Sequence, residues 1–510
     1  TVRQLACRFG FVGIGVISGV FFLLTTASVF AQRSSASASD VEIEWPSEAP
    51  PPPLIEQSVV FPEYQIRSLD NGLQVVFVGH HEQPIVNARL LVRAGASSDS
   101  RDKPGVAALA ARLLNQGTAT RTAQEIAGIV DYVGGALDVG AGPDLSFVNT
   151  IMMSDSFSLA LDMLSDVARS PAFFPEEIER QRQQVLSGLQ VSYDDPAYLA
   201  GIVFNRLIYG FHPYGMPHNG TPDSVNKITR DDLVSFHRDH YMPNNAMLAI
   251  VGDVTVEEAF SGAERAFGSW LPGSLPDGVD DAVPLPTRRL VVIDKPGSVQ
   301  TAVRVGHLTL PRAHEDFLAF DLAVKILGGE GGNRLGSVLR TQRSLTYAAS
   351  ANMVGRQIAG DFMASTDTRS VATAEALRLT VDEISRLRRE RPQDAELRGA
   401  QAYLAGNFPI TLETPNAITS QVLEAIMFGL DLEELETYRE RINAVTVDDI
   451  QRVSRDYVKP ESLSIVLVGD ASTFVDDLGR VGFQNVEVLS RSELDLAEAD
   501  LRRRSSSPVR

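Results

Sequence analysis

The stretch that decides the fold occurs twice. Residues 237–255 read HRDHYMPNNAMLAIVGDVT and residues 454–472 read SRDYVKPESLSIVLVGDAS. Each copy begins in a helical pattern, passes a tyrosine and a proline, and continues as an apolar run that ends in Gly-Asp, at Asp253 or Asp470. This repeat predicts two homologous halves, each with helices and a sheet, so the fold class is α+β. The Gly-Asp pairs are interpreted as turns that end strands, with a catalytic aspartate as the alternative.

Changes in composition divide the chain further. We predict a signal peptide at 1–31, a Pro/Ser-rich linker at 32–61, an N-terminal domain at 62–270, a second linker at 271–287, a C-terminal domain at 288–488 and a disordered tail at 489–510. The linkers and the tail are rich in polar residues and proline, and such segments bury too little apolar surface to fold by themselves.

The N-terminal segment has the pattern of an export signal. Arg3 and Arg8 precede the apolar run Phe9–Phe30, and Val29-Phe30-Ala31 is similar to a small-residue cleavage site. This predicts a periplasmic protein. Because the run is long enough to span a bilayer, an uncleaved membrane anchor facing the periplasm is the alternative. The single cysteine, Cys7, lies in this segment, so the mature protein would have no disulfide.

The chain is acidic, with 65 Asp and Glu against 46 Lys and Arg and a formal net charge of −19. This argues against nucleic acid as a partner, because neutralising phosphates needs an excess of clustered Lys and Arg, whereas acidic residues predominate in this chain. We interpret the acidity as a solubility feature, with attraction of basic peptides as the alternative.

A second informative stretch is Pro104–Thr118, PGVAALAARLLNQGT. A proline at its start and a glycine near its end predict a short apolar helix. Ala108, Ala111 and Arg112 then fall at i, i+3 and i+4 on one face, the spacing of two helical metal ligands and a neighbouring base. Alanine has no donor atom and a guanidinium does not lose its proton, so these side chains cannot bind zinc.

Four further phrases support a resemblance to a known family. They are NGLQVVFV at Asn71–Val78, RAGASSDSRDKPGVA at Arg93–Ala107, HPYGMPHNG at His212–Gly220 and LGGEGGNRLGSVLRTQRSLTYAASA at Leu327–Ala351. With the duplicated halves, they resemble the pitrilysin/insulinase family of zinc metallopeptidases, in the two-domain form that is similar to mitochondrial processing peptidase subunits. The resemblance implies two homologous α/β-sandwich domains that form a clam shell.

Active members of that family carry H-x-x-E-H on their first long helix, and a downstream Glu completes the zinc coordination. By this resemblance the two His positions are Ala108 and Arg112, the Glu position is Ala111, and the downstream Glu position is Gly188. None of these residues is a ligand, so we predict no metal and no hydrolysis at this site. We expect Arg112 to point into the former zinc cavity, where a nearby carboxylate or carbonyl satisfies it.

The C-terminal half keeps a different pair. Active members use an Arg and a Tyr there to hold substrate and stabilise the tetrahedral intermediate, and Arg340 and Tyr347 match that spacing and context. Both groups donate hydrogen bonds, as an oxyanion requires. A buried helix-end Arg and a core Tyr are the structural alternative. The glycine-rich loop of the family's non-catalytic processing subunit is matched by Gly328, Gly329, Gly331 and Gly332. No phosphate-loop lysine follows, which argues against nucleotide binding.

The histidines show no complete set of metal ligands. His80 and His81 are adjacent, so their side chains diverge in an extended segment. His237 and His240 lie at i, i+3 on a predicted helix, but no zinc motif accompanies them. The others are interpreted as structural or without a ligand pattern: His212, His218, His307 and His314.

This asymmetry predicts a division of labour. The leading hypothesis is a zinc-free subunit of an exported peptidase, which binds unfolded peptide partly by strand addition and lends Arg340 and Tyr347 to a zinc-bearing homologous partner in a heterodimer. Zinc is expected in the partner and no cofactor in this chain. The alternatives are a structural or assembly subunit and a peptide-binding protein without any role in proteolysis. An autonomous metallopeptidase with a relocated site is the remaining alternative.

Overall fold

A computed structural model describes residues 61–275, 288–329 and 332–504. The predicted signal peptide and nearly all of the first linker lie outside the described residues, as do most of the second linker and the last six residues. Within the described ranges, no helix combines the length and the apolar character that crossing a membrane requires.

Over residues 61–275, the first half has a six-stranded sheet and eight α-helices. Its strands are β1 (Tyr64–Ser68), β2 (Gln74–Gly79), β3 (Ile85–Val92), β4 (Ala136–Ala141), β5 (Ser146–Met153) and β6 (Ala246–Gly252). Its helices are α1 (Val106–Leu113), α2 (Ala123–Tyr132), α3 (Phe157–Arg169), α4 (Pro175–Ser192), α5 (Pro196–Tyr209), α6 (Pro222–Lys227), α7 (Arg230–His240) and α8 (Val256–Phe267). The strand order is β1-β2-β6-β3-β5-β4, in which β2 and β6 are parallel and the other neighbours antiparallel.

The second half repeats this architecture. Its strands are β7 (Leu290–Asp294), β8 (Gln300–Thr309), β9 (Thr346–Val354), β10 (Gly360–Arg369), β11 (Ser464–Gly469) and β12 (Val486–Ser490). Its helices are α9 (Phe317–Gly328), α10 (Thr373–Arg389), α11 (Asp394–Asn407), α12 (Pro415–Met427), α13 (Glu433–Glu436), α14 (Tyr438–Ala444), α15 (Val447–Tyr457) and α16 (Val475–Arg480). The strand order is β12-β7-β11-β8-β10-β9.

The sequence repeat corresponds to equivalent places in the two sheets. The buried strands β6 and β11 each follow a helix that begins with a capping box, Thr229 with Asp232 in α7 and Thr446 with Asp449 in α15. β6 then pairs in parallel with β2, and β11 pairs in parallel with β7. The prediction of an α+β fold with two homologous halves is confirmed. The outermost strands differ, since β1 is antiparallel to β2 whereas β12 is parallel to β7.

The repeated Gly-Asp pairs end strands, as interpreted from the sequence. The Asp470 carboxylate accepts hydrogen bonds from Ser472 N at 3.2 Å and from Gly297 N at 2.9 Å. Asp253 Oδ1 lies 2.7 Å from His81 Nδ1 at the surface. Asp470 therefore organises a turn, whereas the Asp253 carboxylate pairs with His81 at the surface.

Each half also covers one face of the other half's sheet. α5 of the first half packs on β8 and β11, where Val203 and Val466 share a buried cluster. α12 of the second half packs on β3 and β6, and Val422 is buried with Val251. A sheet that is apolar on both faces needs cover on both. The exchange of helices therefore joins the halves through their cores.

The prediction of a disordered tail at 489–510 is wrong for residues 489–504. Four leucines of this segment are buried in the cluster around α5: Leu489, Leu494, Leu496 and Leu501. Arg206 of α5 donates from Nε to Leu496 O at 2.7 Å and from Nη2 to Glu498 O at 3.2 Å. Burial lowers the pKa of Arg206 to about 10. Charged and polar residues dominate the composition of residues 489–504, but the four leucines spaced among them pack this segment against α5.

Candidate functional site

The helix predicted in Pro104–Thr118 is α1, and a carboxylate holds its first turn. Asp99 accepts hydrogen bonds from Gly105 N at 2.7 Å and from Ala107 N at 2.8 Å, satisfying amides that have no partner within the helix. Burial raises the pKa of Asp99 to about 7. Gly105 has a φ of +103°, and a Cβ there would lie 3.0 Å from Asn219 O. The loop at 212–220 therefore packs directly on the start of α1.

The positions that correspond to a zinc motif carry no ligand atoms. Ala108 and Ala111 are buried on α1. Gly188 is exposed on α4, which packs against α1, and the space where its Cβ would lie is open. Alanine, glycine and arginine offer zinc no donor, so these residues do not fit the metal. Over the described ranges, no group of three or more His, Cys, Asp or Glu side chains is placed to hold an ion.

The expectation that a nearby carboxylate or carbonyl satisfies Arg112 is wrong. The side chain is exposed, and no carboxylate or carbonyl among the described residues pairs with it. Its charge acts instead on His218, whose pKa is lowered first by burial and then by Arg112 and Arg356. An exposed guanidinium is hydrated, so it requires no protein partner. The helix itself lies where its flanking proline and glycine predict.

Arg340 and Tyr347 lie together at a cavity in the second half. The Cζ atom of Arg340 lies 5.0 Å from the centroid of the Tyr347 ring, within the range of a cation–π contact. Arg340 is exposed and Tyr347 is 84% exposed. The alternative interpretation, a buried Arg and a core Tyr, is therefore wrong. Both residues line a cavity of about 720 Å³.

Irregular backbone presents these two side chains. Arg340 belongs to the π-helix Gly336–Gln342, a form that often occurs at functional sites. Tyr347 lies at a bulge in the edge strand β9, where the pairing with β10 changes register. Thr346 Oγ1 donates to Asp367 O at 2.7 Å and supports the bulge. A bulge turns a side chain away from the regular alternation of the strand.

The glycine-rich loop borders the same cavity. A Cβ on Gly328 would collide with the backbone of Ala351 on β9, so close packing between α9 and β9 requires glycine there. A Cβ on Gly329 would lie 2.7 Å from Lys325 O. Gly332 has open space around it, and Gly331 lies outside the described residues. The predicted loop and the Arg/Tyr pair thus form one site.

Family models match both halves of the chain. A model described as "Insulinase (Peptidase family M16)" matches residues 74–207, and one described as "Peptidase M16 inactive domain" matches residues 227–404. The chain belongs to peptidase family M16. This confirms the resemblance to the pitrilysin/insulinase-type peptidases.

Similar proteins span most of the chain. An uncharacterized zinc protease of Mycobacterium leprae is 26% identical over 413 residues, covering 78% of this chain and 90% of the relative. Zinc protease PqqE of Helicobacter pylori is 24% identical, covering 80% and 93%. A solved structure described as the peptidase M16 inactive domain from Pseudomonas fluorescens has a TM-score of 0.76 at 28% identity, covering 80% of this chain and 98% of that one. A chain of complex III from Candida albicans shares the fold, with a TM-score of 0.69 at 16% identity over 82% and 98% of the two chains.

Sequence reasoning missed a buried polar cluster that joins the two halves of this M16 chain. Arg356, between β9 and β10, donates from Nε to Tyr209 OH at 3.2 Å and lies 3.6 Å from Asp361 Oδ1. Tyr209, at the end of α5, donates to Asp361 at 2.9 Å. The Arg356 guanidinium also lies 4.9 Å from the ring of Tyr214, which donates to Asp144. Burial raises the pKa of Asp361 and of Asp144. Only the HPYG phrase around Tyr214 gave a signal in the sequence.

The two helical histidines make structural contacts. His237 Nε2 lies 2.8 Å from Ala168 O, and its ring stacks on Tyr241 with centroids 4.7 Å apart. His240 packs against the Phe236 ring at 4.6 Å. Burial lowers the pKa of both histidines. These contacts account for their spacing on α7 without a ligand role.

The burial of His307 predicts that the protein loses stability at acid pH. His307 is 1% exposed, its Nδ1 lies 2.8 Å from Leu308 O, and its Nε2 accepts from Lys459 N at 3.1 Å. Burial lowers the pKa of His307 to about 4, whereas the unfolded chain titrates near 6.5. Because the unfolded chain then binds a proton first, this residue should lower the free energy of unfolding by up to about 3 kcal/mol as the pH falls from 6.5 to 4.

The variant His307→Gln should therefore show a flatter loss of stability between pH 6.5 and 4, as measured by urea unfolding at several pH values. Identical slopes for His307→Gln and the unaltered protein would contradict the prediction.

Proposed function

We propose that this chain is a zinc-free subunit of an exported M16 peptidase, which binds unfolded peptide and supplies Arg340 and Tyr347 to a zinc-bearing homologous subunit. One asymmetry carries the proposal. The zinc positions of α1 and α4 have no ligand atoms, whereas Arg340 and Tyr347 remain adjacent and exposed at a cavity. A catalytic zinc requires three protein ligands and an open water position, which the partner would provide.

The chemistry of the pair supports this role. Zinc in the partner would activate water and polarise the scissile carbonyl. A guanidinium and a phenol can both donate hydrogen bonds to the oxygen on which negative charge develops. Among the described residues, the side chains of Arg340 and Tyr347 form no hydrogen bond or ion pair, and their one described interaction is with each other. Their donors are therefore available to a substrate.

The sheet edge beside the cavity supports peptide binding. β9 is the last strand of its sheet and pairs on one side with β10. Its other side presents backbone groups to which an extended peptide can add as a further strand. Such a peptide would pass directly beside Tyr347 and the glycine-rich loop.

Reconstitution tests the proposal. The full chain is purified alone and together with a zinc-bearing M16 homologue, and each sample is assayed for zinc content, mass and cleavage of an unfolded peptide. We expect no zinc and no cleavage from the chain alone, and a heterodimer that cleaves. Stoichiometric zinc with activity in the isolated chain would contradict the proposal. A heterodimer that is no more active than the partner alone would instead support a structural or assembly role.

Export is part of the proposal and is tested separately. The chain with its N-terminal segment intact is expected in the periplasmic fraction of a Gram-negative host. Retention in the cytoplasmic fraction would contradict export, and retention in the membrane fraction would indicate an uncleaved anchor.

A further inference from the structure

The cavity at Arg340 differs in charge from the rest of the molecule. It is lined by α9, by Gly329 and Gly332 of the glycine-rich loop, by the π-helix, by β9 and by Tyr403 of α11. Two cationic side chains, Lys325 and Arg340, reach its surface, and its described lining residues include no Asp or Glu. The chain as a whole has a formal net charge of −19. The described lining of the cavity thus carries positive charge in an acidic protein.

The two cations are not equivalent. Lys325 Nζ lies 3.6 Å from Asp321 Oδ1 and 3.5 Å from Asn352 Oδ1, so its charge is largely offset by a carboxylate behind the cavity wall. Arg340 has no such partner among the described residues and contacts the face of Tyr347. The next arginine in the chain, Arg343, lies 3.9 Å from Glu375 and does not line the cavity. Arg340 therefore carries the uncompensated charge.

We propose that this cavity binds a carboxylate of the peptide, either an Asp or Glu side chain or a free C-terminal carboxylate, and so selects acidic peptides. The inference rests on the proposed function, because it takes the peptide to lie along β9. A guanidinium can hold a carboxylate through two parallel hydrogen bonds. Side chains of an added strand alternate between its two faces, so every second residue of the peptide would face the cavity.

Hydroxyl and amide groups can complete the binding of a carboxylate. Asn333, Ser337, Thr341 and Ser350 line the cavity beside Arg340. The Tyr347 and Tyr403 rings form further parts of its lining. The long-range field of the acidic surface is screened within about 10 Å at 0.1 M salt. At that ionic strength, local contacts in the cavity decide which peptide side chain is preferred.

Binding of labelled peptides to the isolated full chain, followed by fluorescence anisotropy, tests the inference. Three unfolded decapeptides differ only in a central Glu, Gln or Lys and have amidated C-termini, and a fourth is the Gln peptide with a free C-terminus. The Glu peptide, the free-terminus peptide or both should bind about tenfold more tightly than the amidated Gln peptide. The Lys peptide should bind most weakly. Comparison of the Glu and free-terminus peptides identifies the source of the carboxylate.

Matched variants assign the preference to the cavity. Arg340→Gln should bring the acidic and neutral peptides to within about twofold of each other, whereas Arg343→Gln should keep the preference. Loss of the preference in Arg343→Gln would overturn the inference.

Different results would overturn the carboxylate site and peptide binding itself. Equal binding of the Glu, Gln and free-terminus peptides by the unaltered chain would overturn the carboxylate site and leave peptide binding intact. Binding of none of the four peptides would overturn peptide binding, and the carboxylate site with it.

Discussion

Arg340→Gln is expected to lower the kcat of the reconstituted heterodimer by about 10²–10³-fold. The reason is that the substitution removes the exposed guanidinium beside Tyr347. The oxyanion, which forms only in the transition state, would then lose a charged hydrogen-bond donor. A neutral peptide substrate separates this effect from recognition of a carboxylate. With that substrate KM should change little, because the lost interaction is absent from the ground state. Steady-state kinetics of the heterodimer measures both constants.

Tyr347→Phe provides the companion measurement. It keeps the ring against the guanidinium and removes only the hydroxyl, so a smaller loss of about tenfold in kcat is expected. Arg343→Gln is the matched control on the same segment and should retain full activity. Because Arg340 and Tyr347 are exposed, the unfolding midpoint should not move in any of the three variants. Full activity of Arg340→Gln and Tyr347→Phe would show that the pair is dispensable, and would favour the assembly role.

Arg356→Met is expected to lower the free energy of unfolding by about 3–5 kcal/mol. The Arg356 side chain is 12% exposed and that of Asp361 is 6% exposed, and both contact Tyr209 at the end of α5. Removing the guanidinium leaves a buried carboxylate without its cation and leaves the Tyr209 hydroxyl without a donor. Urea unfolding at pH 7 measures the loss.

Two comparisons decide whether the cluster is the cause. Arg378→Met removes an exposed ion pair to Asp382 on α10 and should change stability by less than about 0.5 kcal/mol. Adding Asp361→Asn to Arg356→Met should recover part of the lost stability, because the carboxylate of residue 361 is then no longer buried without its cation. A loss in Arg356→Met no larger than that in Arg378→Met would contradict a stabilising role for the cluster.

The duplicated fold was predictable because its signals are local. The capping residues Thr229 and Thr446, the apolar strands that follow and the final Gly-Asp turns each act within a few residues of the chain. The two expectations that were wrong concern the solvation of a side chain and the packing of a distant segment, which short sequence patterns do not specify. Arg112 is exposed where a nearby carboxylate or carbonyl was expected to satisfy it, and the C-terminal leucines pack on α5 although most of their neighbours in the sequence are charged or polar.

The sequence by itself determined the repeated α+β halves and the chemistry missing from α1, because strand and helix patterns are short-range and no fold gives Ala108 or Ala111 a zinc-binding atom. Only the tertiary structure decided which helix covers which sheet, how the π-helix and the bulge bring Arg340 to Tyr347, and that Arg356 joins the two halves. These features come from contacts between distant parts of the chain. They follow from the need to cover both faces of each sheet and to pair buried charges, and no single segment records either requirement.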